Sequence, residues 1–349
     1  MIRWHNSFGT QQRRSENQIK QSNKNMTRVR WGVIGLGRIA HSFASDIASV
    51  ANAELVGVAA RNGDRAEKFA RRYNVPKAYA GYEDLYSDPD IDAVYVATPH
   101  NHHLQNCSDI LRAGKAVLCE KPLVLTPTEC QQLMAIAEAT GGYLMEGMWT
   151  WYLPAIRRAL GWVEAGRIGD ILHIKADFGY PFTYSEELRE YDASLGASVT
   201  LEMGIYPIAI ARLFMGRSPT SIQVSGRRAP NGVEDDLTAI LDYGDAMATL
   251  GTSFRCKLQN CAYIIGTEGY IAIPDFWGAS ECGLYAVDTR IDHFSESRGS
   301  FGYNYQIGEV SADIIAGRTQ SPVIPLATSL ALQEDMLAIR DAVPRLVQA

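Results

Sequence analysis

Two groups of residues in this chain have types and spacings suited to chemistry. Lys121 follows Cys119-Glu120 at the end of an apolar run and stands directly before Pro122, whose ring limits the backbone and is compatible with a cis bond. At the carboxyl end of a strand its ammonium could lower the pKa of a neighbouring hydroxyl and bind a substrate oxygen. Glu202 and Tyr206, in Val199-Thr200-Leu201-Glu202-Met203-Gly204-Ile205-Tyr206, are expected to share one helix face. A phenol passes a proton to or from an alcohol or carbonyl when a nearby cation draws its pKa of about 10 toward neutrality. Glu202 would then orient the phenol or the substrate. The plainer alternatives are a solvated lysine and a core tyrosine beside an exposed glutamate. Pro207 cannot give a helical N–H, so a kink or a helix start is expected there.

These groups need a cofactor, and the chain has a turn that could hold one. Gly35-Leu36-Gly37-Arg38-Ile39-Ala40 follows the apolar run Trp31-Gly32-Val33-Ile34. Gly35 can take a conformation that a Cβ would block, Gly37 lets the backbone approach a pyrophosphate, and Ala40 lets the next helix pack on the strand. Such a phosphate would sit on unpaired N–H groups at the helix N-terminus. A helical stretch over 39–51 and a second buried strand over 54–60 complete a βαβ unit of the right size.

The tip of that second strand reads Ala60-Arg61-Asn62, with no Asp or Glu to bind a ribose 2′-hydroxyl. Arg61 and Arg38 could form a donor fork around a 2′-phosphate, which favours NADP and leaves NAD as the alternative.

Bulk properties are those of a globular enzyme. The 349 residues suffice for two domains, and 46% hydrophobic with 21% charged is ordinary composition. The formal net charge is −6, and residues 1–27 carry about +4, which leaves a body near −10 and argues against nucleic acid. The six cysteines form no C-x-x-C pair and read as reduced thiols; no metal site is expected. The apolar runs are too short for a membrane span, and a cytoplasmic location is the default expectation.

The elements that must position the site follow from periodicity. Alternating helices and strands run to Tyr143-Leu144-Met145-Glu146, including strands over 93–97 and 116–119 and a capping box at Thr126-Pro127-Thr128-Glu129. They predict a doubly wound parallel sheet over residues 28–148. A second α+β domain is expected over 149–326, with alternating strands at 171–178, 221–226, 237–243, 246–254 and 261–266 in a largely antiparallel open sheet. Residues 1–27 read as a disordered arm, and 327–349 hold a closing helix that returns toward the first domain.

As a set these residues resemble the glucose–fructose oxidoreductase, inositol dehydrogenase and MocA (Gfo/Idh/MocA) family, and within it the dihydrodiol and xylose dehydrogenase branch. The pieces that carry the likeness are the glycine turn, Thr98-Pro99-His100-Asn101-His102-His103, Glu120-Lys121-Pro122, Gly204-Ile205-Tyr206, Met145-Glu146 with Trp149-Thr150, and Ser321-Pro322-Val323-Ile324-Pro325-Leu326. The resemblance implies NADP-dependent hydride transfer at a carbinol carbon, with Lys121 and Tyr206 as the acid–base pair and Glu202 holding them in register. It puts Thr98, Pro99, His103 and Glu120 with Gly35, Gly37, Arg38, Ile39, Ala40 and Arg61 at the cofactor. Trp149, Tyr152, Phe178, Tyr180 and Trp277 are candidates to stack on a sugar or ring, or to pack as plain core. Three departures stand out: the family usually has Asp at position 202, a glycine-rich turn where this chain has Gly196-Ala197-Ser198, and Arg where Trp151 stands.

The expected activity is therefore NADP-dependent oxidation or reduction at a secondary or anomeric alcohol of a sugar, polyol or cyclic trans-diol. A keto-sugar reductase of the same family and a catalytically weak NADP-binding sensor are the alternatives. A small-molecule substrate and a homodimer or higher homo-oligomer are expected, without nucleic acid or membrane.

Overall fold

A computed structural model describes residues 27–344. The arm expected over 1–27 lies outside the described residues except for Thr27. The first sheet is built from β1 (Val29–Ile34), β2 (Ala53–Ala60), β3 (Lys77–Ala80), β4 (Ala93–Val96), β5 (Ala116–Glu120) and β6 (Leu144–Gly147), with helices α1 (Arg38–Asp46), α2 (Gly63–Tyr73), α3 (Glu83–Ser87), α4 (His103–Arg112) and α5 (Pro127–Thr140) between them. All pairings are parallel, and the six strands lie in the order β3-β2-β1-β4-β5-β6. Strands β4 and β5 are buried at every residue, because helices cover both faces of the sheet. The order in which strands are added reverses between β1 and β4, so the crevice beyond their carboxyl ends is the place where such a sheet takes a ligand.

Local chemistry accounts for the helix ends nearest that crevice. Thr126 caps α5 by accepting from the Glu129 N–H at 3.2 Å, and Pro127 occupies the first helical position. The Glu129 carboxylate reaches back to the Leu125 N–H at 2.9 Å, one residue before the donor a standard box would use.

The second sheet has eight strands: β7 (Ile171–Gly179), β8 (Ser221–Arg228), β9 (Glu234–Asp242), β10 (Met247–Ser253), β11 (Cys261–Gly266), β12 (Tyr270–Pro274), β13 (Glu281–Ala286) and β14 (Thr289–Ser295). Their order is β14-β13-β12-β11-β7-β10-β9-β8, antiparallel throughout except for the β7–β10 pair. The last three strands escaped the sequence reading, since they are short runs broken by Pro274, Gly283 and the Val287 turn. Helices α6 (Pro154–Glu164), α7 (Ile205–Met215) and α9 (Leu326–Ala342) pack on one face. Thr238, Ile240 and Met247 lie exposed on the other.

Residues after the second sheet return to the first. Helix α8 (Tyr303–Ile315) packs on β1 and α1: Trp31 Nε1 donates to Ser311 Oγ at 3.1 Å, and the Asp46 carboxylate accepts from the Phe301 and Tyr303 N–H groups at 3.0 and 2.9 Å. Helix α9 spans both parts of the chain. It packs on α5 and β6 on one side and on α7 and β8 on the other, with the Arg212–Asp335 ion pair buried between α7 and α9.

Candidate active site

The glycine turn has the geometry its sequence suggests. Gly35 sits at φ +79°, and a Cβ there would collide with the Ala97 carbonyl and the Thr98 nitrogen, so the turn is pressed against the end of β4. Gly37 precedes α1 and faces open space, and no side chain caps the helix. Arg38, Ile39 and Ala40 form its first turn, whose N–H groups have no intrahelical acceptor. Together these features fit a dinucleotide pyrophosphate. Arg38 and Arg61 are exposed, and Arg65, unnoticed in the sequence, joins them: its guanidinium bonds the Leu36 carbonyl at 3.0 Å, inside the turn.

Thr98 and His103 support the crevice from within. Thr98 Oγ1 accepts from Asn106 Nδ2 at 3.0 Å, and Pro99 beside it is half-buried. The His103 ring is wholly buried between the loops after β4 and β5, with Nε2 2.9 Å from the Thr98 carbonyl and Nδ1 3.0 Å from that of Pro122. Its contacts tie two loops together, and its full burial puts it behind Thr98, where the resemblance implies that it lines the nicotinamide side. Glu120 also turns inward. Its carboxylate accepts from the buried Tyr95 phenol and, at 3.3 Å, from the Lys121 N–H, and burial pushes its carboxyl above the usual range.

Lys121 and Tyr206, 85 positions apart in the chain, meet in the cleft between the two sheets, with Lys121 Nζ 4.8 Å from the centre of the Tyr206 ring. The ammonium donates to the Glu202 backbone carbonyl at 2.7 Å. That carbonyl lies in a π-helical turn, Thr200–Gly204, that leads into α7. A π-type bond to Glu202 would require the N–H of residue 207, and Pro207 has none. The helix start expected near Pro207 thus falls at Ile205.

The Glu202 side chain departs from expectation. Its carboxylate makes no hydrogen bond with Tyr206 and accepts from Arg189 Nη2 at 2.7 Å, with His100 Nε2 3.7 Å away. His100 is held neutral by burial first, with His103, Lys121 and Arg189 adding to the effect, so its contact with Glu202 is not an ion pair at neutral pH. Arg189 lies in a loop without long elements, 13 residues from Glu202, where nothing in the local pattern marks it.

Tyr206 is buried, and its hydroxyl accepts from Trp149 Nε1 at 3.2 Å. Burial raises its pKa above the ordinary phenol value of 10.0; Lys121 and the Trp149 bond pull down, Glu120 and Glu202 push up. The expected lowering toward neutrality is therefore outweighed by desolvation. Around the phenol stand Phe178 at 5.2 Å and Trp277, itself 5.4 Å from Phe178 and 6.1 Å from Trp149 (centroid distances). Tyr180 abuts Phe178 at 5.7 Å. Tyr152 does not join them. Its hydroxyl lies 2.8 Å from Ser321 Oγ and 3.2 Å from Met145 Sδ, so it packs behind β6 as core.

The departures have local explanations. Gly196, at φ +82°, keeps the one left-handed position of its turn, while Ala197 and Ser198 are outside that region and carry side chains without strain. Ser198 Oγ accepts from the Leu201 N–H at 3.1 Å and donates to the buried Glu234 carboxylate, anchoring the π turn. Trp151 is buried, and a cation at the site comes from Arg189 instead.

A parallel six-stranded sheet with a glycine turn at its reversal point, joined to a lysine–tyrosine pair under a mostly antiparallel sheet, defines a nicotinamide-dependent oxidoreductase. Residues 29–148 match the oxidoreductase family with an NAD-binding Rossmann fold, and residues 156–272 match the GFO/IDH/MocA C-terminal domain. The trans-1,2-dihydrobenzene-1,2-diol dehydrogenase of Mus musculus is 33% identical over 327 residues, covering 90% of this chain and 97% of that protein. The Oryctolagus cuniculus enzyme of the same name is 34% identical, covering 89% and 97%. Among solved structures, a 3-ketoreductase from Actinomadura kijaniata in complex with NADP and TDP-benzene superposes with a TM-score of 0.79 at 26% identity, covering 90% and 98%. An aldose-aldose oxidoreductase from Caulobacter crescentus shares the fold with a TM-score of 0.83 at 21% identity, covering 90% and 97%. The chain belongs to the Gfo/Idh/MocA oxidoreductase family, as its motifs imply.

Proposed function

We propose that this enzyme uses NADP to oxidise a secondary or anomeric hydroxyl of an uncharged sugar, polyol or cyclic trans-diol, or to reduce the matching carbonyl. The observation that carries the reading is the Lys121 ammonium lying over the Tyr206 ring, against which Phe178 packs and to whose hydroxyl Trp149 donates, with Trp277 beside both. Gly35, Gly37, Arg38, Ile39 and Ala40 would hold the pyrophosphate, Arg61 with Arg38 and Arg65 a 2′-phosphate, and Thr98, Pro99 and the Glu120 backbone the nicotinamide side. When bound, the nicotinamide supplies or accepts the hydride.

Tyr206 holds the proton that the substrate oxygen gives up or receives, and Lys121 stabilises negative charge as it develops on that oxygen. Glu202 acts twice, aiming Lys121 through its carbonyl and holding Arg189 through its carboxylate. The aromatic walls exclude water and offer flat faces to carbon-bound hydrogens of a ring. Because Glu202 already pairs Arg189, the pocket suits neutral substrates.

A reductase reading is favoured by one feature: burial raises the Tyr206 phenol above its ordinary 10.0, which disfavours the phenolate that oxidation needs and leaves a proton to donate to a carbonyl oxygen. A spectrophotometric screen of NADP and NAD reduction against aldoses, inositols and cyclic trans-diols, and of NADPH oxidation against keto-sugars, decides among these. Turnover of a neutral diol or aldose with NADP is expected. Tight NADPH binding with no turnover of any of them would leave only the sensor reading.

We further propose a homodimer joined through the open sheet face at Thr238, Ile240 and Met247, working in the cytoplasm, where the six unbonded cysteines stay reduced. A monomer mass in sedimentation would refute the dimer. Among the described residues no helix is long and apolar enough to cross a membrane.

A further inference from the structure

The loop at residues 121–125 carries Lys121, yet belongs to no helix or strand. Its polar backbone is met almost entirely by side chains from elsewhere. Leu123 N–H donates to Glu146 Oε1 at 2.8 Å, and the Val124 carbonyl accepts from Gln333 Nε2 at 2.9 Å. The Pro122 carbonyl faces His103, and Leu125 N–H donates to Glu129. Glu146 is the third residue of β6 and is wholly buried; Gln333 comes from α9 and is 1% exposed. Ser329, one helical turn before Gln333, is also wholly buried. Its hydroxyl lies near enough to favour the ionised Glu146 carboxylate, while Oε2 of that carboxylate makes no well-formed hydrogen bond.

Buried polar side chains are costly unless their partners need them. Here two of them, 187 positions apart in the sequence, converge on two consecutive residues of the loop that must hold an ammonium 2.7 Å from Glu202 O. Neither touches the cleft.

We propose that Glu146 and Gln333 are positioning residues, which clamp the 121–125 loop from beneath and make the C-terminal helix part of the machinery that aims Lys121. This rests on the reading that Lys121 acts in turnover. A small displacement of an oriented charge is enough to lower a rate greatly, so the clamp acts on kcat rather than on cofactor affinity. Glutamine at 146 keeps an acceptor for Leu123 and gains a donor toward Ser329. Leucine keeps neither.

The test uses the full chain with Glu146→Gln, Glu146→Leu, Gln333→Leu and Lys121→Ala, each also measured for thermal unfolding. Turnover is followed with trans-1,2-dihydrobenzene-1,2-diol and NADP, NADPH affinity by fluorescence titration, and loop protection by hydrogen-exchange mass spectrometry. Glu146→Leu and Gln333→Leu are expected to lower kcat at least about tenfold, with NADPH affinity within about twofold of the parent and faster exchange across 121–126. Glu146→Gln should restore kcat and protection, and Glu146→Leu should add no further loss to Lys121→Ala. Unchanged kcat and protection in folded Gln333→Leu, or a Glu146→Leu loss that multiplies with that of Lys121→Ala, overturns the proposal. If Glu146→Leu does not fold, Gln333→Leu and Glu146→Gln carry the decision. Parental turnover in Lys121→Ala instead refutes the role of Lys121 itself, an outcome separable from the clamp because loop protection is read without turnover.

Discussion

Lys121 Nζ lies over the face of Tyr206, 4.8 Å from the ring centre, while its hydrogen bond goes to the Glu202 carbonyl and not to the phenol. The ammonium is thus held by the backbone of the same segment that carries the tyrosine, with its charge near enough to pull the phenol pKa down. Removing either group should leave the nucleotide turn untouched. Lys121→Ala and Tyr206→Phe are expected to lower turnover at least about a hundredfold while NADPH still binds. Steady-state kinetics beside NADPH fluorescence titration checks this, and near-parental turnover in either variant would reject the roles.

The pH dependence follows from the balance at Tyr206. Burial raises the phenol and Lys121 lowers it, so oxidation, which needs the phenol to take a proton, should speed up into the alkaline range, and reduction should be fastest at neutral pH. Deleting the cation in Lys121→Met should move the alkaline limb of kcat further upward. A limb that stays put, measured between about pH 6 and 10, would mean that another group titrates.

Arg189 should matter more for activity than for stability. Its pair with Glu202 is short, at 2.7 Å, but the Arg189 side chain is 48% exposed, so solvent screening leaves it worth less than about 1 kcal/mol to the fold. Arg189→Ala frees the Glu202 carboxylate and is expected to lower kcat/KM at least about tenfold with little change in Tm. Equal kcat/KM would show that the pair stands apart from the substrate.

On the proposed reading, cofactor choice rests on Arg61 with Arg38 and Arg65. Alanine at both Arg61 and Arg65 should raise KM for NADP at least about tenfold and leave KM for NAD nearly unchanged, because only NADP presents a phosphate to the guanidinium groups. A parallel rise for both cofactors would refute the assignment.

Burial pushes the Glu146 carboxyl up from 4.5 to about 7. The folded chain then keeps a proton that the unfolded chain releases, so stability from this group is present below pH 4.5 and is lost as pH rises toward 7. The ceiling on that loss is about 3 kcal/mol. Glu146→Gln removes the dependence, so its Tm should gain on the parent by several degrees between the two ends of that window. A constant Tm difference would show that the carboxyl does not titrate there.

Much of this protein was legible in local order. Glycine at 35 and 37 after an apolar run, alternating strands and helices to residue 147, and Lys121 at the end of β5 are all properties of neighbours along the chain, and neighbours are what periodicity and turn chemistry report. Wherever a residue's partner lies far off or depends on how two layers meet, that information is missing. Only packing turned the Glu202 carboxylate to Arg189, buried Tyr206 deeply enough to raise its phenol, and sent Tyr152 into the core behind β6 while Trp149 met Tyr206. The physical reason is that the direction of a side chain within an element follows from short-range sterics, whereas burial and charge pairing are set by which distant surfaces close upon each other.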